Sequence, residues 1–173
     1  STLISAISGE LKCQSGWIRL NDKNLSQWTF KELAQQRAVL MQKSSLSFPF
    51  KVIDVVMMGR SVFNQGVASK ADIMIAEKAL VEVGLIEMFN RRYTELSGGE
   101  QQRVHLARAL CQISHETQEI NTSPTRFLLL DEPTASQDLA AQNLVLSSAR
   151  AQSRQGVGVL CVLHDLNQTA QYS

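Results

Sequence analysis

No run of apolar residues in this sequence is long enough to cross a bilayer. The longest, such as VGVLCVL near the end, falls far short of the about 20 residues a spanning helix needs. No basic-then-apolar leader opens the chain, so any membrane role is expected to run through a partner. Net charge is also missing. Lys plus Arg (17) against Asp plus Glu (16) leaves +1, which gives no global field toward nucleic acid or an anionic surface; an anion would have to be held locally. The three cysteines, Cys13, Cys111 and Cys161, lie far apart without a C-x-x-C pair. That argues against a disulfide framework or a zinc site and for a reducing, cytoplasmic setting. There is no internal repeat and no low-complexity tract, and 173 residues suit one domain able to bury roughly 70% of its unfolded surface.

Three short apolar runs stand out, each ending abruptly in polar residues. RAVLMQ ends at Gln42, RFLLLDE at Asp131 and Glu132, and GVLCVLHD at His164 and Asp165. Continuous apolarity predicts strands covered on both faces, as in a parallel sheet flanked by helices. Ligands of such sheets bind outside the carboxyl ends of the strands, so these polar residues are candidates for one shared site. Between the runs, SKADIMIAEKALVEVGL places Ile73, Ala76, Leu80 and Val83 at helical spacing, with Gly84 as its terminator. SGWIRLNDKNLSQW reads as a hairpin turning at Asn-Asp-Lys, its aromatics packing inward. The stretch from about 50 to 93 is helical and forms an inserted lobe, and residues 114–125 form a polar surface loop. His105 and His115 are expected on surface or helix-face positions without a ligand.

Two stretches carry chemistry. In LSGGEQQRVHLARAL, Ser97, Gly98 and Gly99 stand before an amphipathic helix containing Val104, Ala107 and Leu110. A hydroxyl and unobstructed N–H groups then meet the positive end of a helix dipole, which suits an anion. In RFLLLDEPTASQD a strand delivers Asp131, the carboxylate a Mg²⁺ ion beside phosphates would need. Glu132 next to it could act on an attacking water. His164 could donate to a phosphate oxygen. Each piece alone has a plain structural reading: a capped helix with flexible glycines, an acidic turn closed by Pro133, a surface histidine.

Together the pieces are specific. LSGGEQQR, then LLLDEP, then Asp138 six residues beyond Glu132, then VLHD, in this order, resemble the nucleotide-binding subunits of ATP-binding cassette (ABC) transporters over nearly the whole chain. The resemblance implies an α/β, P-loop NTPase-like fold: a mostly parallel sheet flanked by helices, an inserted helical subdomain and a small N-terminal antiparallel hairpin. Residues 1–49 and 105–173 would form the core and residues 50–104 the helical subdomain. It implies ATP and Mg²⁺ as cofactors. Asp131 would hold the metal, Glu132 would be the catalytic base, His164 the switch histidine and Gln42 the Q-loop glutamine, belonging to both the catalytic and the metal-binding residues. Ser97, Gly98, Gly99 and Glu100 would close on ATP held by a second copy in a head-to-tail dimer, with Asp138 at the same interface. Ala135, Ser136 and Gln137 depart from the family's usual Ser-Ala-Leu.

The opening STLISAISGEL fits a Ser-capped helix. Under the resemblance Ser1 is also the hydroxyl that ligates Mg²⁺ at the end of a phosphate-binding loop, with Thr2 contacting phosphate. The loop's Gly and Lys would precede residue 1, and family members continue past Ser173, so the expectation is a fold incomplete at both ends and almost inactive by itself. The Q-loop continuation KSSLSFPFKVIDVVMMGR and the segment CVLHDLNQTAQY resemble haem importers most, with ferric-siderophore and vitamin B12 importers as alternatives. The implied partners are integral membrane permease subunits and, indirectly, a periplasmic binding protein, with the chain peripheral on the cytoplasmic face of the bacterial inner membrane. Cassettes that act on DNA or ribosomes, and a fragment that only binds a permease, are the alternatives of another class. Against the former, only 54 residues lead from Gln42 to Leu96, too few for a long coiled coil, and there is neither a second cassette nor a basic arm.

Overall fold

The computed structural model describes residues 1–42, 46–64, 67–114, 125–135 and 137–163. His115, Ser136, His164, Asp165 and most of the polar stretch 114–125 lie outside them. Helix α1 (Thr2–Ile7) starts at Ser1, whose Oγ accepts from the Ile4 N–H at 3.4 Å. Strands β1 (Arg19–Leu20) and β2 (Lys23–Asn24) pair antiparallel, as the hairpin reading expects. Their two-residue turn has φ of 48° at Asn21 and 62° at Asp22, the paired left-handed geometry that Asn and Asp tolerate best after Gly. Trp17 does not pack inward; it is 67% exposed with the Arg19 guanidinium 4.6 Å above its ring.

Helix α2 (Phe30–Gln36) opens with a capping box between Thr29 and Glu32 and runs straight into β3 (Arg37–Leu40), which buries Ala38 and Leu40. Helix α3 (Val52–Met57) has no side-chain cap. Its first N–H groups are satisfied instead by the carbonyls of Arg91 and Phe89. Helix α4 (Lys70–Glu82) begins with a capping box between Ser69 and Asp72 and is followed by Gly84 at φ 67°, the left-handed residue that turns the chain away after a helix. Ala76, Leu80 and Val83 are buried as the spacing predicts, but Ile73 is 40% exposed and its neighbour Asp72 is buried instead. The reason is electrostatic: buried Arg60 bonds Asp72 at 2.8 Å from Nε, so an acidic residue turns inward where an apolar one is expected.

Helix α5 (Gly98–Ile113) is the central helix, packed against α3, α4 and β3, with Val104, Ala107 and Leu110 all buried. Gln112 on it donates to the carbonyls of Ala34 and Arg37, tying it to the start of β3. At Gly59 a Cβ would stand 2.4 Å from the Arg108 carbonyl oxygen, so only glycine allows this approach to α5. His105 is not on the surface; it is 2% exposed and shares a hydrogen bond of 2.9 Å with the Tyr93 hydroxyl.

Strand β4 (Phe127–Asp131), helix α6 (Leu139–Arg154) and strand β5 (Gly158–Val162) complete the described fold. The sheet is parallel in the order β3-β4-β5, with Leu40 opposite Leu130 and Asp131 opposite Val162. β4 lies in the middle and buries Leu128, Leu129, Leu130 and Asp131, whereas β5 is only half-buried throughout. Parallel pairing puts the carboxyl ends of all three strands on one edge, where ligands of open α/β sheets bind. This is the parallel α/β architecture with helices that the sequence implies. Among the described residues no helix is long and apolar enough to cross a membrane.

Candidate functional site

At the carboxyl end of β4 the chain turns through Asp131, Glu132 and Pro133. The Asp131 side chain is 2% exposed. One of its carboxylate oxygens, Oδ2, meets the amino group of Ser1, while Oδ1 is buried with no hydrogen-bond partner. A buried carboxylate oxygen without a donor is costly, and a hard cation would satisfy it. Glu132 sits at φ 51°, a strain of order 1–3 kcal/mol for a residue with a side chain. Proline at the next position disfavours compact backbone further. The strain is held in place. The Glu132 N–H donates to the Val162 carbonyl at 3.0 Å, and its own carbonyl accepts from the Ala135 N–H at 3.2 Å. On the side chain, the Gln42 carboxamide donates from Nε2 to Glu132 Oε2. Gln42, two residues past β3, and Asp131 and Glu132, at the end of β4, therefore converge as sequence order along a parallel sheet predicts. His164, also expected here, lies outside the described residues.

Ser1 reaches this cluster through Asp131, while Thr2 is exposed at the first turn of α1. The oxygen donors gathered here, the Asp131 carboxylate, the Ser1 hydroxyl and the Gln42 carboxamide, are of the kind a small hard dication takes. Among the described residues there is no group of three or more His, Cys, Asp or Glu that could hold a metal ion.

The N-terminus of α5 stands apart from Asp131. Ser97 and Gly98 are exposed, and a Cβ at Gly98 would meet nothing within 4 Å. Ser97 accepts from the Glu100 N–H, and the Glu100 carboxylate accepts from the Ser97 N–H at 2.8 Å and hydroxyl at 2.7 Å. Those two bonds hold the Glu100 carboxyl below its ordinary range. Asp138 is exposed and caps α6, accepting from the Ala141 N–H at 2.8 Å. No described contact brings Ser97–Glu100 or Asp138 to Asp131. Behind the sheet edge, burial and then the Asp131 charge push the Cys161 thiol up to about 12, which keeps it protonated and inert beside the site.

A groove of about 740 Å³ lies elsewhere, along residues 86–95, lined among others by Ile86, Phe89, Arg91 and Arg92. The sequence reading also missed Gln102. Its Nε2 donates to the Glu132 carbonyl at 3.4 Å, and it stands in helical register with buried Leu106, Ala109 and Ile113. A polar residue at the head of an apolar stripe was the available signal.

The family model described as ABC transporter matches residues 1–135. The chain belongs to the ABC transporter family. Among curated relatives of this ABC chain, the Hemin import ATP-binding protein HmuV of Myxococcus xanthus is 46% identical over 173 residues, all of this chain and 63% of that protein. The protein of the same name from Gloeobacter violaceus is 44% identical, again over all of this chain and 62% of its own length. The chain thus spans less than two thirds of these relatives. Among solved structures, an inward-facing ABC transporter described as metal-chelate type matches with a TM-score of 0.70 and 30% identity, over 97% of this chain and 59% of that one. The dimeric bacterial cassette MJ0796 matches with a TM-score of 0.78 over 98% of this chain and 71% of its own, at 23% identity, a likeness of fold.

Proposed function

We propose that this chain carries catalytic parts of the ATP-hydrolysing subunit of a bacterial importer, and that the cargo is haem. The observation that carries the hydrolytic reading is the clamped pair at the end of β4. Asp131 presents a buried, unpartnered oxygen, and next to it Glu132 is held in a strained backbone with Gln42 on its carboxylate. Phosphoryl transfer asks a protein mainly for positioning and charge neutralisation. Asp131, with Ser1 and Gln42, would hold Mg²⁺, which would neutralise phosphate charge when bound. Glu132 orients and deprotonates the attacking water, Gln42 fixes the Glu132 carboxylate, and His164 donates toward phosphate. Thr2 contacts phosphate beside Ser1.

The helix start Ser97–Glu100, exposed at Ser97 and Gly98, fits a head-to-tail dimer in which it closes on ATP held by the second copy, with Asp138 at the same interface. Splitting each site between two copies makes hydrolysis conditional on closure, and closure can drive a partner. Residues 50–104 act as the helical subdomain on a core of 1–49 and 105–173, and the groove along residues 86–95 receives a helix of the permease. The subunit then lies on the cytoplasmic face of the inner membrane, with a periplasmic binding protein delivering cargo to the permease.

Haem rests on the likeness to hemin import proteins. The likeness to a metal-chelate type transporter favours a ferric chelate as the second reading. Reconstituting the full-length subunit with its permease in proteoliposomes and measuring ATP-driven uptake separates the two. Haem accumulation that requires ATP is expected; uptake of a ferric chelate or cobalamin with none of haem would overturn the cargo assignment.

A further inference from the structure

We propose that Gln102 is a positioning residue for hydrolysis, linking the helix start Ser97–Glu100 to the backbone of Glu132. The inference rests on Glu132 being the base. Glu132 lies at φ 51° immediately before a proline, a place where the backbone relaxes toward extended geometry unless both flanking peptides are held. The peptide before Glu132 is anchored by its N–H on Val162. The peptide after it is anchored at its carbonyl by two donors, the Ala135 N–H and the Gln102 carboxamide.

The two carbonyl anchors differ in what they report. Ala135 belongs to the same turn as Glu132, so its bond is local. Gln102 belongs to α5, one turn in from the capping box that closes Ser97 on Glu100. A rigid helix transmits displacement of its first turn to the next. When Ser97–Glu100 is drawn toward ATP held by the second copy, Gln102 moves with it and pulls on the Glu132 peptide at this copy's own β4 end. Gln102 thus makes the angle of the base in one ATP site depend on engagement of the helix start in the other.

The test is steady-state ATP hydrolysis by the full-length protein with Gln102→Met, which keeps length and packing but removes the donor, and Gln102→Glu, which sets a carboxylate against the carbonyl. Misplacing a reacting group by about 1 Å costs about a hundredfold, and losing one anchor of three is expected to lower kcat about tenfold in Gln102→Met and further in Gln102→Glu. The KM for ATP should stay within twofold. A packing role alone would leave Gln102→Met unaffected. Retention of kcat within twofold in Gln102→Met, or a KM that rises as far as kcat falls, overturns the proposal. Glu132→Gln measured alongside separates the failures: turnover lost in that variant but kept in Gln102→Met removes the role of Gln102 alone, whereas turnover kept in Glu132→Gln removes the base itself and the inference with it.

Discussion

Gln42 and Glu132, 90 residues apart in sequence, meet through a hydrogen bond from the Gln42 carboxamide to the Glu132 carboxylate. The bond joins the ends of two neighbouring parallel strands. It also fixes which way the carboxylate points.

Replacing Gln42 with Ala removes the donor that orients the Glu132 carboxylate, and ATP turnover of the full-length protein is expected to fall about tenfold or more. Gln42→Glu makes a sharper test. Two carboxylates within hydrogen-bond distance cannot both ionise cheaply, so one titrates upward. A base works only ionised, and the acid limb of the kcat profile should therefore move to higher pH in Gln42→Glu. An unmoved acid limb would detach Gln42 from the base.

The ion pair of Arg60 and Asp72 is expected to govern acid stability. Burial raises the Asp72 carboxyl, but hydrogen bonds from Arg60 and Ser69 outweigh it and hold the group at about 2. The unfolded value is about 3.9, so the contribution is fully present above that value and is lost as pH falls toward 2. Asp72→Asn leaves a buried guanidinium without its counter-charge and should cost about 3–5 kcal/mol near neutrality. The gap between parent and variant in urea unfolding should narrow between about pH 4 and 2. A gap constant across that range would contradict the assignment.

Two further substitutions probe how α5 is seated. Gly59→Ala forces a Cβ against the Arg108 carbonyl and is expected to cost about 1–3 kcal/mol. Tyr93→Phe deletes the bond to buried His105 and should cost about 1–3 kcal/mol. Urea unfolding of each variant measures both.

The apolar runs ending at Gln42, Asp131 and His164 made the parallel sheet legible, because continuous burial and abrupt polar ends are local properties of a strand. Asp131, Glu132 and Gln42 could be placed together for the same reason: parallel pairing alone brings strand ends to one edge. Other features depend on partners distant in sequence. Asp72 turns inward because Arg60 waits there, and His105 is buried because Tyr93 shares its hydrogen bond. Trp17, by contrast, stays outside beside a near neighbour, the Arg19 guanidinium two residues on. Gln102 escaped notice because a carboxamide at the head of an apolar stripe looks like a surface residue until the Glu132 carbonyl lies beside it. The partnerships of Asp72 with Arg60 and of His105 with Tyr93 leave no periodic trace.

The most direct measurement is Mg²⁺-dependent ATP turnover of the full-length protein with Glu132→Gln, alongside nucleotide binding by the same variant. The amide keeps the size of the side chain and an oxygen that can accept from Gln42 but cannot act as a base. General-base catalysis is typically worth about 10²–10⁴-fold, so turnover should fall by at least about a hundredfold while ATP binding persists. Turnover within a few-fold of the parent would contradict the assignment of Glu132 as the base and, with it, the reading of the β4 end as the hydrolytic site.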